Sequence, residues 1–446
     1  MKNTKSFQRE FICLAVPVAL QGLLQSSFSM GDQILVGQLG EVAIAGIGLA
    51  GRFLSIYSVL LSAIAAVAGI MLAQYLGKRD EQEIGRSFYL NLGFGLGLSV
   101  IFLVICEVLP GKIMGLYTMD SDVCDAAAVY LMITAIGCLP RACSLLYAAL
   151  LRCMGHATIP LYATGCNAVL DTGLSYILIF GKFGLPRLGI AGVAAATVAA
   201  QIVECLVIFL FYRSVKRKEA LTLVFTLSMN SEKWRQYAGI LAPILVCELF
   251  WSLGENVYGI IYGHIGTASC AAMTLIGPIV SLFMGLMGGV AQAAGIPTGN
   301  RLGAGEYDLA YAEAKKMCRY GIYGSLLLSL AVVLTSRIYV SVFKVEEAVR
   351  NMACQLLFVF ALFAPVKVEN MILGGGIVRS GGKTQYIMYV DLIGTWIFGV
   401  PLGLIAAFGL HLPIALVYGM LSLEECVRLG ITIFIFRRKG WMQDLS

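Results

Sequence analysis

Gln21-Gly22-Leu23-Leu24-Gln25-Ser26-Ser27-Phe28-Ser29-Met30-Gly31-Asp32 lies inside a run, residues 11–36, that is otherwise apolar enough to cross a membrane. On a helix Gln21, Gln25, Ser29 and Asp32 are spaced 4, 4 and 3 residues apart. At about 100° per residue they share one narrow face. An acid at the centre of a membrane helix costs roughly 2.5–3.5 kcal/mol on insertion scales, so it faces a bundle interior or a watery cavity and marks an ion or proton pathway by default. That one residue poses the question the remaining residues must answer.

The 446 residues are 59% hydrophobic and only 13% charged, and mean hydropathy is +0.84. A soluble globule carries about 25% charged residues. The deficit, with repeated apolar runs near the roughly 20 residues a span needs, reads as a polytopic membrane protein. Twelve spans follow, at residues 11–36, 46–76, 87–108, 125–150, 159–181, 189–212, 237–262, 270–299, 315–336, 348–375, 385–407 and 411–436. The first, though it follows Lys2, Lys5 and Arg9, is too long for a signal peptide and has no small-residue cleavage site, so it reads as a retained span. Pro140, Pro278 and Pro365 predict kinks.

Of the 32 Lys and Arg, four lie inside spans (Arg52, Arg141, Lys367, Arg428). Six lie on one side (Lys112, Lys182, Arg187, Arg337, Lys344, Arg350), and the other 22 fall on the side that holds both ends. That bias puts both termini in the cytoplasm of a multi-pass protein of the plasma (inner) membrane. It also accounts for the net charge of +6 without nucleic acid, for which no motif is present. The 13 cysteines are scattered, with no CxxC and only three histidines (His156, His264, His411), so neither a metal nor a disulfide framework is expected. Gly381-Gly382-Lys383-Thr384 imitates the end of a P-loop, but the upstream glycine position is Ile377 and a span, not a strand, precedes it. No nucleophile–histidine pairing or zinc motif appears, and an enzyme is not expected.

The chain repeats itself. Pro17/Pro243, Gly40/Gly266, Gly77/Gly303 and Thr158/Thr384 share one offset of 226 residues (243 − 17). Each half holds six spans, an even number, so the halves are parallel repeats, with a binding site expected between them or within one bundle. The expected division is a six-helix bundle over 1–215, a cytoplasmic linker over 216–236 and a second six-helix bundle over 237–446.

Several stretches, in order, resemble the multidrug and toxic compound extrusion (MATE) transporters: residues 32–40, Asp32-Gln33-Ile34-Leu35-Val36-Gly37-Gln38-Leu39-Gly40; Asn167-Ala168-Val169-Leu170-Asp171 with Ile179-Phe180-Gly181; residues 189–197 from Gly189 to Thr197; Arg379-Ser380-Gly381-Gly382-Lys383-Thr384; and Trp396 with Pro401. The resemblance covers nearly the whole chain. It implies an all-α membrane protein, with two six-helix bundles in a V related by a pseudo-two-fold axis. It also implies antiport: export of organic, often cationic or amphipathic drugs driven by inward flow of Na⁺ or H⁺, with no other cofactor, in a monomer surrounded by lipid. The alternatives are a flippase for lipid-linked or polysaccharide substrates and, from another class, a non-transporting receptor or scaffold.

Asn167 and Asp171 share a helix face with Thr164 and Ser175. A small hard cation needs several oxygens from carboxylate, amide, hydroxyl and carbonyl groups, and the spans bearing Asp32, Asn167, Asp171 and Thr197 offer that set. The resemblance assigns them to a Na⁺ or H⁺ coupling site, with the backbone carbonyl of Val193 added. Two carboxylates held close also favour a proton on one of them, so H⁺ can stand in for Na⁺. A structural polar cluster is the plainer reading. Arg52, at similar depth in span two, is a rival partner for Asp32. In the second half Glu248, Ser252 and Glu255 form another stripe, and Lys367 and Glu369 lie in mid-span ten. A buried Lys needs a partner, and Glu248 or Glu255 is expected to supply it. These four charged residues make a second polar site, for substrate or for helix packing. Asp391, and Glu424 with Arg428, read as structural, and Arg141 and Glu204 fit either reading. At the 226 offset Asp32 answers Tyr258, so the two halves differ chemically.

Overall fold

The computed structural model describes residues 2–182, 184, 186–219, 231–343 and 345–443. Its helices are α1 (Lys2–Val36), α2 (Glu41–Lys78), α3 (Glu81–Val108), α4 (Pro110–Gly115), α5 (Ser121–Ile136), α6 (Cys138–Cys153), α7 (Thr158–Phe180) and α8 (Gly189–Glu219). They continue as α9 (Ser231–Ile265), α10 (Thr267–Gly303), α11 (Tyr307–Ser341), α12 (Glu347–Asn370), α13 (Gln385–Leu392), α14 (Val400–Leu404) and α15 (Ile414–Arg437). Among the described residues ten helices are long and apolar enough to cross a membrane, and α5 with α6, bent by 45°, make an eleventh. Glu424, Glu425 and Arg428 dilute the apolarity of α15, which at 24 residues is long enough to be the twelfth. The bend expected at Pro140 falls at Gly137, between α5 and α6, while Pro278 and Pro365 lie inside α10 and α12 without ending either. Most of the predicted linker, residues 220–230, lies outside the described residues, and its flanks continue α8 and begin α9.

The chain forms two compact units: Leu23–Ser228, and Met1–Gly22 with Met229–Ser446. In the first, the N-terminal unit, Ala50, Cys106, Met114 and Leu131 pack α2 through α5 together. Beside them the Tyr57 hydroxyl donates to the Cys138 carbonyl at 2.7 Å and lies 2.9 Å from Ser99 Oγ. In the second, the C-terminal unit, the start of α1 crosses α10 so closely that a Cβ on Gly22 or Gly289 would strike the Gly285 carbonyl or the backbone of Val18 and Ala19. Small residues at helix crossings are the packing device of membranes, where lipid is as apolar as leucine.

Helix α11 shows that solvent preference inverted. It exposes Leu326, Leu330, Leu334 and Ile338, one row at i,i+4 spacing, and buries Ser325, Ser329 and Ser336. An aqueous helix does the opposite; lipid explains the outward leucines, and two of the buried serines, Ser325 and Ser336, bond back to helix carbonyls at 2.9 and 2.8 Å.

The path after α12 widens into π-helical turns over Met371–Val378, and again at Ile393–Gly399 and Ile405–Gly409. Wide turns of this kind concentrate at functional sites. Gly376 lacks the side chain that would collide with the Ala291 carbonyl of α10, so the first wide turn sits flush against that helix.

Candidate cation and polar sites

In the N-terminal unit α7 and α8 pack extensively against one another. Each presents a polar stripe: Thr164, Asn167, Asp171 and Ser175 on α7, and Thr197, Gln201 and Glu204, spaced 4 and 3 residues apart, on α8. Thr197 Oγ1 lies 3.1 Å from both Asp171 Oδ1 and the Val193 carbonyl, one hydroxyl proton between two acceptors. Ser175 reaches the same Asp171 oxygen at 3.5 Å. Asp32, near the end of α1, lies within electrostatic reach of Asp171, with Thr172 beside it. Tyr130 of α5 faces both acids. Asp32 Oδ1 is buried and has no hydrogen-bond partner among the described residues. Two half-buried carboxylates, a hydroxyl and a carbonyl therefore stand together.

Asn167, one turn before Asp171 on α7, meets α8 through its N–H side. Its Nδ2 donates to Glu204 Oε2 at 2.8 Å, and Thr164 Oγ1 donates to Oε1 of the same carboxylate at 3.1 Å. The rival pairing does not form: Arg52 is exposed, and no ion pair joins it to Asp32 among the described residues. From the outer face of α2 the long Arg52 side chain can carry its charge toward the membrane surface, a route that a short, buried acid lacks. Tyr130 and Gln201 carried no sequence signal of their own, but Gln201 and Glu204 extend the face of Thr197 at helical spacing, and that pattern was readable.

In the C-terminal unit the charged residues gather around α15. Arg428 lies 3.4 Å from Glu424, 3.7 Å from Asp391 and 4.0 Å from Glu425, and it donates to Thr395. The Tyr258 hydroxyl, at the position that answers Asp32, donates to Glu424. Cys247 donates to Asp391 at 2.7 Å. The expected partners of Lys367 are corrected in part: its ammonium meets Glu425 at 3.8 Å, Glu248 is taken by Arg379 at 3.4 Å, and Glu255 stays within electrostatic reach. The reason is axial position, since Arg379 follows Lys367 by about three turns and reaches the Glu248 level of α9 first. Glu369 leaves the group as well, because two residues along α12 its carboxylate faces Cys318 and Gly321 of α11.

Two cavities of about 180 and 250 Å³ border this cluster. Glu255, Tyr258, Tyr262 and Tyr418 line the first, and Glu248, Trp251, Arg379 and Asp391 the second. Lys367 and Glu425 line both, so their loose ion pair is the wall the cavities share.

The MatE family model matches residues 17–177 and again residues 243–405. The two matches begin 226 residues apart (243 − 17), the offset of the internal repeat. An uncharacterized transporter of Bacillus subtilis, YisQ, is 23% identical over 437 residues, 96% of this chain and 94% of its own length. The probable multidrug resistance protein YoeA of the same organism is 25% identical over 417 residues, 91% of this chain and 88% of its own. The crystal structure of the Vibrio cholerae MATE transporter VcmN in its bent form superposes with a TM-score of 0.87 at 17% identity, covering 98% of each chain. The chain thus belongs to the MatE family of multidrug and toxic compound extrusion transporters, proteins that carry molecules across membranes and are not enzymes.

Proposed function

We propose that the protein is a cation-coupled antiporter of the plasma membrane that exports organic, often cationic or amphipathic compounds, with both termini in the cytoplasm. One observation carries the coupling: a buried Asp32 oxygen without a partner among the described residues, beside Asp171 and the Thr197 hydroxyl. Two carboxylates in one low-dielectric place repel each other. A Na⁺ ion or a proton removes that repulsion, and the oxygens of Asp32, Asn167, Asp171, Thr197 and Val193 are the hard ligands Na⁺ takes. The ion entering from outside occupies this set and favours the state that releases substrate, which requires only different ion affinities in the two states. In the C-terminal unit Glu255 among three tyrosines suits the positive end of a flat organic cation.

Efflux of a cationic dye from proteoliposomes, under a Na⁺ gradient and a pH gradient imposed one at a time, tests this reading. One gradient drives export, and Asp32→Asn or Asp171→Asn slows driven export by about tenfold or more, the scale of a lost ligand shell. Export indifferent to both gradients and to both substitutions defeats the antiporter reading. Movement of labelled lipid without dye export would assign a flippase instead.

A further inference from the structure

Glu204 has no role in the cation site as drawn above, yet it is held by two members of the same helix face. We infer that Glu204 is a positioning residue for that site: it fixes the orientation of the Asn167 amide and so decides that an oxygen, not an N–H, is offered as a ligand. The inference rests on the Asp32–Asp171 site being the coupling site.

The argument is one of donors and acceptors. An ionised carboxylate only accepts hydrogen bonds, whereas an amide has one side that donates and one that accepts. Glu204 Oε2 lies 2.8 Å from Asn167 Nδ2, so the N–H side of the amide is committed to α8. The carbonyl oxygen, on the other arm of the same trigonal carbon, is then left for a partner other than Glu204. Thr164 donates to the second Glu204 oxygen at 3.1 Å and keeps the carboxylate from rotating away. Asn167 precedes Asp171 by one turn on the same face, and Glu204 follows Thr197 by seven residues, about 10 Å of helix, on the matching face of α8. The contact therefore lies about one turn from Asp171 along α7 and about two turns from Thr197 along α8. The groups facing Glu204 are the neutral Thr164 and Asn167 of α7 and one cation, Arg141 of α6; its guanidinium supplies the positive charge that complements an accepting carboxylate. Outer partners that orient a ligand in this way carry about 10- to 100-fold in ion affinity when removed.

Reversing the polarity of the contact tests this more sharply than deleting it. In Glu204→Gln the new amide can donate to Asn167 as well as accept, so the Asn167 orientation is no longer imposed. In the double variant Asn167→Asp with Glu204→Gln, the glutamine donates and the aspartate keeps an oxygen for the ion. The full-length protein is purified in detergent and its thermal unfolding followed while Na⁺ is titrated at fixed pH, and while pH is varied without Na⁺. For the ion that stabilises the wild type, Glu204→Gln shifts the half-saturating concentration upward about tenfold or more. The double variant returns it to within about threefold of wild type, while the unfolding temperature without ion changes little. The inference is overturned if Glu204→Gln binds the ion within about twofold of wild type, or if the double variant is no better than the single one. If neither ion stabilises the wild type, or if Asp32→Asn responds like wild type, the coupling reading itself falls, and this inference with it.

Discussion

Arg428 is the residue on which the C-terminal unit's charges depend. Its side chain is only 8% exposed and stands within 4.0 Å of three carboxylates. Removing one partner from a buried ionic group leaves the others uncompensated, at about 3–5 kcal/mol. Arg428→Met is therefore expected to lower the unfolding temperature sharply, measured by intrinsic fluorescence in detergent. Adding Glu424→Gln and Glu425→Gln is expected to recover most of the loss, because the repelling charges go with the counter-ion. Sequence reading located these side chains within their spans and paired Glu424 with Arg428 at i,i+4. It named Asp391 but could not bring it or Thr395, which arrive from elsewhere in the chain, to Arg428, nor find the Tyr258 bond to Glu424. Contacts made across helices depend on rotation about each axis, and a charged residue's partner is set by which neighbour comes closest in depth. The same limit hid Glu425 of α15, the acid nearest Lys367, behind the alternatives on α9, of which Glu255 stays within electrostatic reach.

At the scale of the helix, α1 makes the clearest contrast. Gly22 meets the Gly285 carbonyl where any Cβ would fall, while Gly31, nine residues on, has nothing within 4 Å of a Cβ. Overpacking against backbone costs about 1–3 kcal/mol, whereas Gly→Ala on an open helical surface gains up to about 1 kcal/mol. Gly22→Ala is expected to lower the unfolding temperature and Gly31→Ala to hold or raise it, so the two substitutions in one helix move it in opposite directions. Helices were the most legible part of this protein, because a span is a long, strong apolar signal and twelve of them were readable. The π-helical turns after α12 were not. Gly376 of the first packs against Ala291 of α10, a contact between distant residues, and nothing in a local run of glycines specifies a wider turn over a simple kink.

For the molecule as a whole, the internal repeat, the even span count and the 22-to-6 distribution of basic residues were readable from composition and spacing alone. Together they argue orientation. Cysteines introduced at Arg79 and at Lys182, both exposed, in a background with the 13 native cysteines replaced, are expected to behave oppositely. A membrane-impermeant maleimide added to intact cells labels position 182 and reaches position 79 only after permeabilisation. Labelling of position 79 in intact cells reverses the proposed topology. The repeat also exposed how unequal its copies are, since Asp32 answers Tyr258; the structure adds that this phenol is hydrogen-bonded to Glu424.

Helix α1 is continuous from Lys2 to Val36, yet the chain passes from one compact unit to the other at Gly22. Its first part is clamped by close backbone crossings on α10, and its last part carries Asp32. Ten residues, about 15 Å of helix, separate the clamp from the acid. In the proposed antiport mechanism, a signal written at Asp32 by an arriving ion thus needs no relay of side chains to reach the first part of the same helix. The peptide backbone is itself the wire, and its hydrogen-bonded stiffness sets how faithfully the message is carried.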